Sequence, residues 1–119
     1  MDIETIRTYC LGKKGASEGF PFGESVLVFK VREKIFAMID LVGIPPGMNL
    51  KCDPELAAEL RERCPAVTGA YHMNKKHWNQ VMFDGTLHRQ EILEMIDHSY
   101  DLVVSGLKKR DREELAAMR

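Results

Sequence analysis

The chain has 119 residues, with 17 Lys or Arg set against 18 Asp or Glu, for a formal net charge of -1. Apolar residues make up 45% and charged residues 29%, the balance of an ordinary soluble domain and not of a disordered or low-complexity chain. No apolar run reaches the roughly 20 residues that span a bilayer, and a globally basic nucleic-acid binder is excluded, so any phosphate contact has to come from a local patch.

The first helix is expected over Asp2 to Lys14. Ile3, Ile6 and Cys10 recur at helical spacing, Asp2 caps the start, and Lys13-Lys14-Gly15 supplies a basic last turn and a glycine stop. The opening residues Met1-Asp2-Ile3-Glu4 are acidic and amphipathic, unlike a signal peptide. A loop is expected from Gly15 to Glu24, with Phe20 and Phe22 pinning it onto a core. Val26 to Leu41 reads as a hairpin turning at Arg32-Glu33-Lys34, with Leu27, Phe29 and Val31 on one face of the first strand. Ile35, Ala37, Ile39 and Leu41 share a face of the second. Gly43 to Gly47 breaks the pattern, and Met48 to Cys52 alternates again.

Asp53-Pro54-Glu55 is a helix start, with the cap at Asp53 and proline at the first helical position. That helix runs to about Cys64 and buries Leu56, Leu60 and Cys64, before Pro65 ends it. Gly69 to Lys76 is a polar connection, Trp78 to Phe83 a strand, and Asp84-Gly85 a turn. A third helix over His88 to Val104 carries Leu93, Ile96, Tyr100 and Val103 on one stripe. Lys108 to Arg119 is a charged tail or short helix. This order implies one α+β domain over residues 1–119, a two-layer sandwich with an antiparallel sheet and its helices packed on one face.

Cys10, Cys52 and Cys64 show no paired or zinc-type spacing and read as buried, reduced thiols in a cytoplasmic protein. No catalytic triad, P-loop or dinucleotide fingerprint is legible. The densest chemical segment is Tyr71-His72-Met73-Asn74-Lys75-Lys76-His77-Trp78-Asn79. Lysines neutralise phosphate, Asn and His hydrogen-bond, and aromatics stack, which is the mix for nucleic acid or a small anion. The bland alternative is a solvated turn leading into a strand whose Trp78 fills the core. His72 and His77 stand five apart, which suits neither a helical nor a strand pair, so no metal is expected.

Several segments in order resemble one family. They are Pro21-Phe22-Gly23, Leu50-Lys51-Cys52 before Asp53-Pro54-Glu55, Leu60-Arg61-Glu62, Tyr71 to Asn79, Asp84-Gly85, and Ser99-Tyr100-Asp101-Leu102-Val103. The chain is similar to the MmcQ/YjbR family over roughly residues 1 to 112. The resemblance implies a fold related to that of bacterial frataxins and a DNA-binding role through a double-wing arrangement of hairpins. Its characteristic positions fall on Pro21, Phe22, Gly23, Lys51, His72, Asn74, Lys75, His77, Trp78 and Asn79. The hairpin turn departs from the family, which often has a glycine there. Frataxin-like iron binding would need an acidic ridge on the first helix, which here holds Asp2 and Glu4 and ends in Lys13-Lys14.

The expected function is therefore DNA binding, weak and salt-sensitive, by a monomer with no cofactor, metal or membrane partner. Lys51, His72, Asn74, Lys75, Lys76, His77, Asn79, Lys108, Lys109 and Arg110 are the contact residues, with Pro21, Phe22, Gly23, Tyr71 and Trp78 structural. Two alternatives stand beside it. The same segment and the Phe20-to-Gly23 loop could line a small-anion or metabolite pocket, or its polar side chains could simply cap the fold.

Overall fold

A computed structural model of the chain describes residues 2–70 and 73–118. In chain order the elements are α1 (Ile3–Leu11), β1 (Ala16–Gly19), β2 (Val26–Val31), β3 (Lys34–Asp40), β4 (Gly47–Lys51), α2 (Pro54–Arg63), β5 (Val67–Gly69), β6 (Trp78–Met82), α3 (Arg89–Ser105) and α4 (Lys109–Ala116). The six strands form one sheet in the order β1-β2-β3-β4-β6-β5. Every neighbouring pair is antiparallel. The architecture is α+β, as the element order implied, with two edge strands that the sequence did not announce. Ala16–Gly19 lies within the expected loop, and Val67–Gly69 has three residues; neither carries the apolar alternation of a half-buried strand.

Capping sets the helix starts. The Asp2 carboxylate accepts from the Thr5 amide at 2.7 Å, and Asp53 accepts from Leu56 at 3.3 Å. At α3 the Glu91 carboxylate reaches back to the His88 amide at 3.2 Å. α1 stops at Leu11, short of Lys14, because Gly12 closes it and Lys13 folds onto Asp97 of α3. The buried stripe of α3 is Ile92, Ile96, Ser99 and Val103. Leu93 and Tyr100, expected on the stripe, flank it and are partly buried.

Strand register sorts the two faces. Leu27, Ile39, Met48, Val81 and Val67 stand opposite one another in one row, and Phe29, Ala37, Leu50, Asn79 and Gly69 in the next. These rows meet Ile6 and Cys10 of α1, Ala57 and Leu60 of α2, and Ile92 and Ile96 of α3 in one core. The β2–β3 register shifts between Phe29 and Lys30. That bulge puts Phe36 into the core, its ring 5.3 Å from Tyr100 and perpendicular to it, and leaves Ile35 opposite Lys30 on the other face. The expected Ile35–Ala37–Ile39 face is broken by this single extra residue. Cys10, Cys52 and Cys64 are free and buried, and desolvation pushes the Cys10 thiol up to about 12 and the Cys52 thiol to about 11.

The β2–β3 turn is two residues long, and both are left-handed, Arg32 at φ 48° and Glu33 at φ 68°. This geometry favours Asn or Gly. Arg32 offsets its strain by pairing with Asp111 at 2.9 Å and with Glu114, both on α4. Among the described residues the Glu33 side chain meets no hydrogen-bond or ion-pair partner. Glu33→Gly is therefore expected to stabilise the fold by about 0.5 kcal/mol, read as a small rise in Tm. An unchanged or lower Tm contradicts the strain.

Arg7 grips Glu18 through two hydrogen bonds of 2.7 and 2.5 Å, tying α1 to β1. This pairing holds the Glu18 carboxyl below its usual range. Thr86 does the same for Asp84, and Arg110 for Glu114. A depressed carboxyl adds stability above its unfolded value and loses it as pH falls through the folded one. Tm is thus expected to hold from pH 7 to about 5 and drop below about 4. A flat profile down to pH 3 would contradict these pairings. Among the described residues no helix is long and apolar enough to cross a membrane.

Candidate nucleic-acid interface

The turn before β6 is built by its asparagines. The Asn74 carbonyl accepts from the amides of His77 and Trp78, at 3.0 and 2.9 Å. Its side-chain oxygen accepts from the Lys76 amide at 3.0 Å. The His77 carbonyl takes the Cys52 amide at 2.8 Å, which fastens the turn to the end of β4. Asn79 points to the helix side and is 2% exposed. Its oxygen accepts from Arg61 at 3.1 Å, and its amide donates to the Ala57 carbonyl at 3.4 Å. Arg61 also donates to the Lys75 carbonyl at 2.7 Å. Asn79 thus spends its polar atoms inside the fold and exposed Asn74 spends its side-chain oxygen on the turn, and α2 is clamped to β6 through Arg61. Tyr71 and His72 lie outside the described residues.

The cations of the segment remain outside. Lys75 and Lys76 are exposed and His77 partly so. A methyl at Gly69 would stand 3.2 Å from Cγ of Lys75, and Gly69 stands in the helix-facing row, so the Lys75 stem lies along β5 on the helix side of the sheet, near Arg61. Trp78 does not fill the core. Alternation from buried Asn79 puts its indole on the face away from the helices, directly opposite Lys51. Asn49 faces Gln80 one step along, and its amide touches the Met73 sulfur at 3.7 Å. Lys30, Ile35 and Met38 continue this face across β2 and β3, all partly exposed, whereas Val28 opposite Met38 is buried.

None of the four helices covers this face: α1, α2 and α3 lie on the opposite side and α4 at the β2–β3 turn. Among its described residues the one carboxylate is Asp40, at the far end of the strands, where it accepts from the Val42 and Gly43 amides. The Lys51–Trp78 end is therefore a partly exposed, partly apolar surface bordered by Lys76, with Met73 lying against Asn49 beside it.

The other expected contacts do not join it. α4 is held at the β2–β3 turn by Arg32, and Leu115 is buried beside Gly15. Lys109 is 3.9 Å from Glu113, and Arg110 is 3.0 Å from Glu114. Lys108, Lys109 and Arg110 thus sit over the β1–β2 side of the sheet, with two strands between them and β6. Pro21, Phe22 and Gly23 do not pin their loop. Phe22 is 64% and Phe20 50% exposed, at the opposite end of the strands from the Asn74–His77 turn. The loop and the turn therefore do not share a pocket. Lys30 and Asn49 were not among the expected contacts, their signal being only the alternation of their strands, and Arg61 stood out only within the family segment Leu60-Arg61-Glu62.

The YjbR family model matches residues 11–102. The chain is 34% identical to the uncharacterized protein YjbR of Escherichia coli (strain K12), over 99% of this chain and 100% of that one. It is 37% identical to the uncharacterized protein YbdF of Escherichia coli O157:H7, over 79% and 77% of the two chains. The crystal structure of Deinococcus radiodurans protein DR2400 superposes with a TM-score of 0.90 at 37% identity, over 96% of this chain and 87% of that one. A crystal structure of a Pseudomonas syringae protein gives 0.74 at 29% identity, over 86% and 98%.

Proposed function

The chain belongs to the YjbR family, and from that premise and the surface at Lys51 and Trp78 we propose that it binds single-stranded nucleic acid across the open face of its sheet. The observation that carries this reading is the directly opposed, partly exposed Lys51–Trp78 pair on a face that none of the described helices covers, with exposed Lys76 in the turn that leads into it. The indole offers a base a stacking platform, and the ammonium groups track the backbone phosphates. Asn49 and Gln80 stand along the same face as amide donors and acceptors. A flat sheet suits a splayed strand better than a duplex, whose grooves take a projecting helix or ribbon. The β2–β3 hairpin is a poor wing for phosphate, because Arg32 at its tip is already paired with α4.

With a net charge of -1 the molecule has no bulk field to hold a polyanion. Affinity is then weak and set by a few phosphate contacts. Lys51→Gln with Lys76→Gln is expected to weaken binding of a fluorescent oligonucleotide uniformly across sequences. It should also make the slope of log K against log salt shallower by about 0.7 per lost contact. An unchanged slope would place the phosphates elsewhere. A purely structural role is supported for Asn79, whose buried side chain is bonded at both its oxygen and its nitrogen, and for the side-chain oxygen of Asn74.

A further inference from the structure

The helical layer on the other side of the sheet is not closed. α2 and α3 run antiparallel and are tied at one end, where the Asp53 amide donates to Nε2 of His98 at 3.2 Å. Beyond that tie they separate over a cleft of about 170 Å³. Its floor is Leu50 and Val81, and its walls are Leu56 and Leu60 on one side and Met95 on the other. An apolar cavity of about 150 Å³ accepts a benzene-sized body.

The rim is charged with both signs. Arg63 stands on the α2 wall and Glu91 and Glu94 on the α3 wall. Arg63 and Glu91 also border the adjoining depression at Thr86 and Leu87, so both mark the end away from His98. Among the described residues Arg63 takes part in no ion pair. Glu91 spends one oxygen on the His88 amide, and Glu94 meets only the Gln90 amide at 3.5 Å. A guanidinium facing two carboxylates beside an apolar trough matches a ligand with a carboxylate, an ammonium and an apolar tail.

We propose that this cleft binds a small α-amino acid with an apolar side chain. The carboxylate lies on Arg63, the ammonium on Glu91 and Glu94, and the side chain points toward His98 over Leu50 and Val81.

The test is an amide-shift NMR titration of the whole chain with L-leucine, and with isoamylamine and 4-methylpentanoate, which lack the carboxylate and the ammonium. Leucine is expected to shift the amides of Cys52, Leu60 and Met95 with a Kd of about 1 mM, and each analogue to bind about tenfold more weakly. Arg63→Gln should cost leucine about tenfold and leave isoamylamine unaffected. Glu91→Gln keeps the cap to His88 and should weaken leucine while sparing 4-methylpentanoate. No shifts at about tenfold that concentration would overturn the proposal. So would analogues that bind as tightly as leucine, or variants that bind leucine unchanged.

Discussion

Ser99→Ala is expected to destabilise the fold by about 3 kcal/mol and to lower Tm by about 10 °C. Ser99 is fully buried, yet its hydroxyl is the one polar side-chain atom in the middle of the α3 stripe. It donates to the Phe36 carbonyl at 2.6 Å and accepts from the Lys51 amide at 2.8 Å. The bulge in β3 explains why. Ala37 pairs with Leu50, and past that point the extra residue carries β3 out of register with β4. Two backbone groups are left facing each other without reach, and the Ser99 hydroxyl fills the gap. Alanine leaves a buried N–H and a buried C=O unmatched. Hydrogen exchange at the Lys51 amide should quicken in the same variant. A Tm within about 1 °C of the parent would show that the ladder closes without the hydroxyl. Its neighbours hold other segments: His98 takes the Asp53 amide, and the Tyr100 hydroxyl donates to the Lys14 carbonyl at 2.6 Å.

Trp78→Ala is expected to weaken binding of a single-stranded oligonucleotide by about 10- to 100-fold, the value of one stacked base. The indole is partly exposed, so its removal should cost stability less than a core truncation. Trp78→Phe keeps an aromatic face and should retain most of the affinity. The salt slope should be the same in all three proteins, because no phosphate contact is lost. That separates Trp78 from Lys51 and Lys76, whose loss changes the slope. Equal affinity in Trp78→Ala and the parent would remove the stacking platform from the account.

Much of the fold was legible because its signals are local. Asp53-Pro54 marks the start of α2, and Gly12 and Gly15 lie at the end of α1, where Lys13-Lys14-Gly15 foretold a stop near by. The β2–β3 hairpin follows from alternation. The bulge at Phe36 does not, since one unpaired residue leaves the apolar pattern looking continuous from Ile35 to Leu41. β1 and β5 are edge strands whose residues need little apolar character, so only pairing with β2 and β6 identifies them. The segment from Tyr71 to Asn79 was visible as chemistry, but its orientation was not. Trp78 read as core and Asn79 as contact; strand parity reverses them, and Arg61, a helix away, satisfies the buried amide. Phe20 and Phe22 are exposed because the Gly19-to-Gly23 loop projects beyond the end of the sheet, with no element packed over it.

Trp78 is the only tryptophan in the chain, so its fluorescence reports directly on the proposed surface. The decisive measurement is a titration with oligothymidylate, followed by tryptophan quenching at several salt concentrations. Saturable quenching is expected at low salt, with log K falling linearly against log salt by about 0.7 per neutralised phosphate, for about two or three phosphates. Absence of quenching at low salt, or binding that leaves the tryptophan signal and the salt response flat, would contradict it.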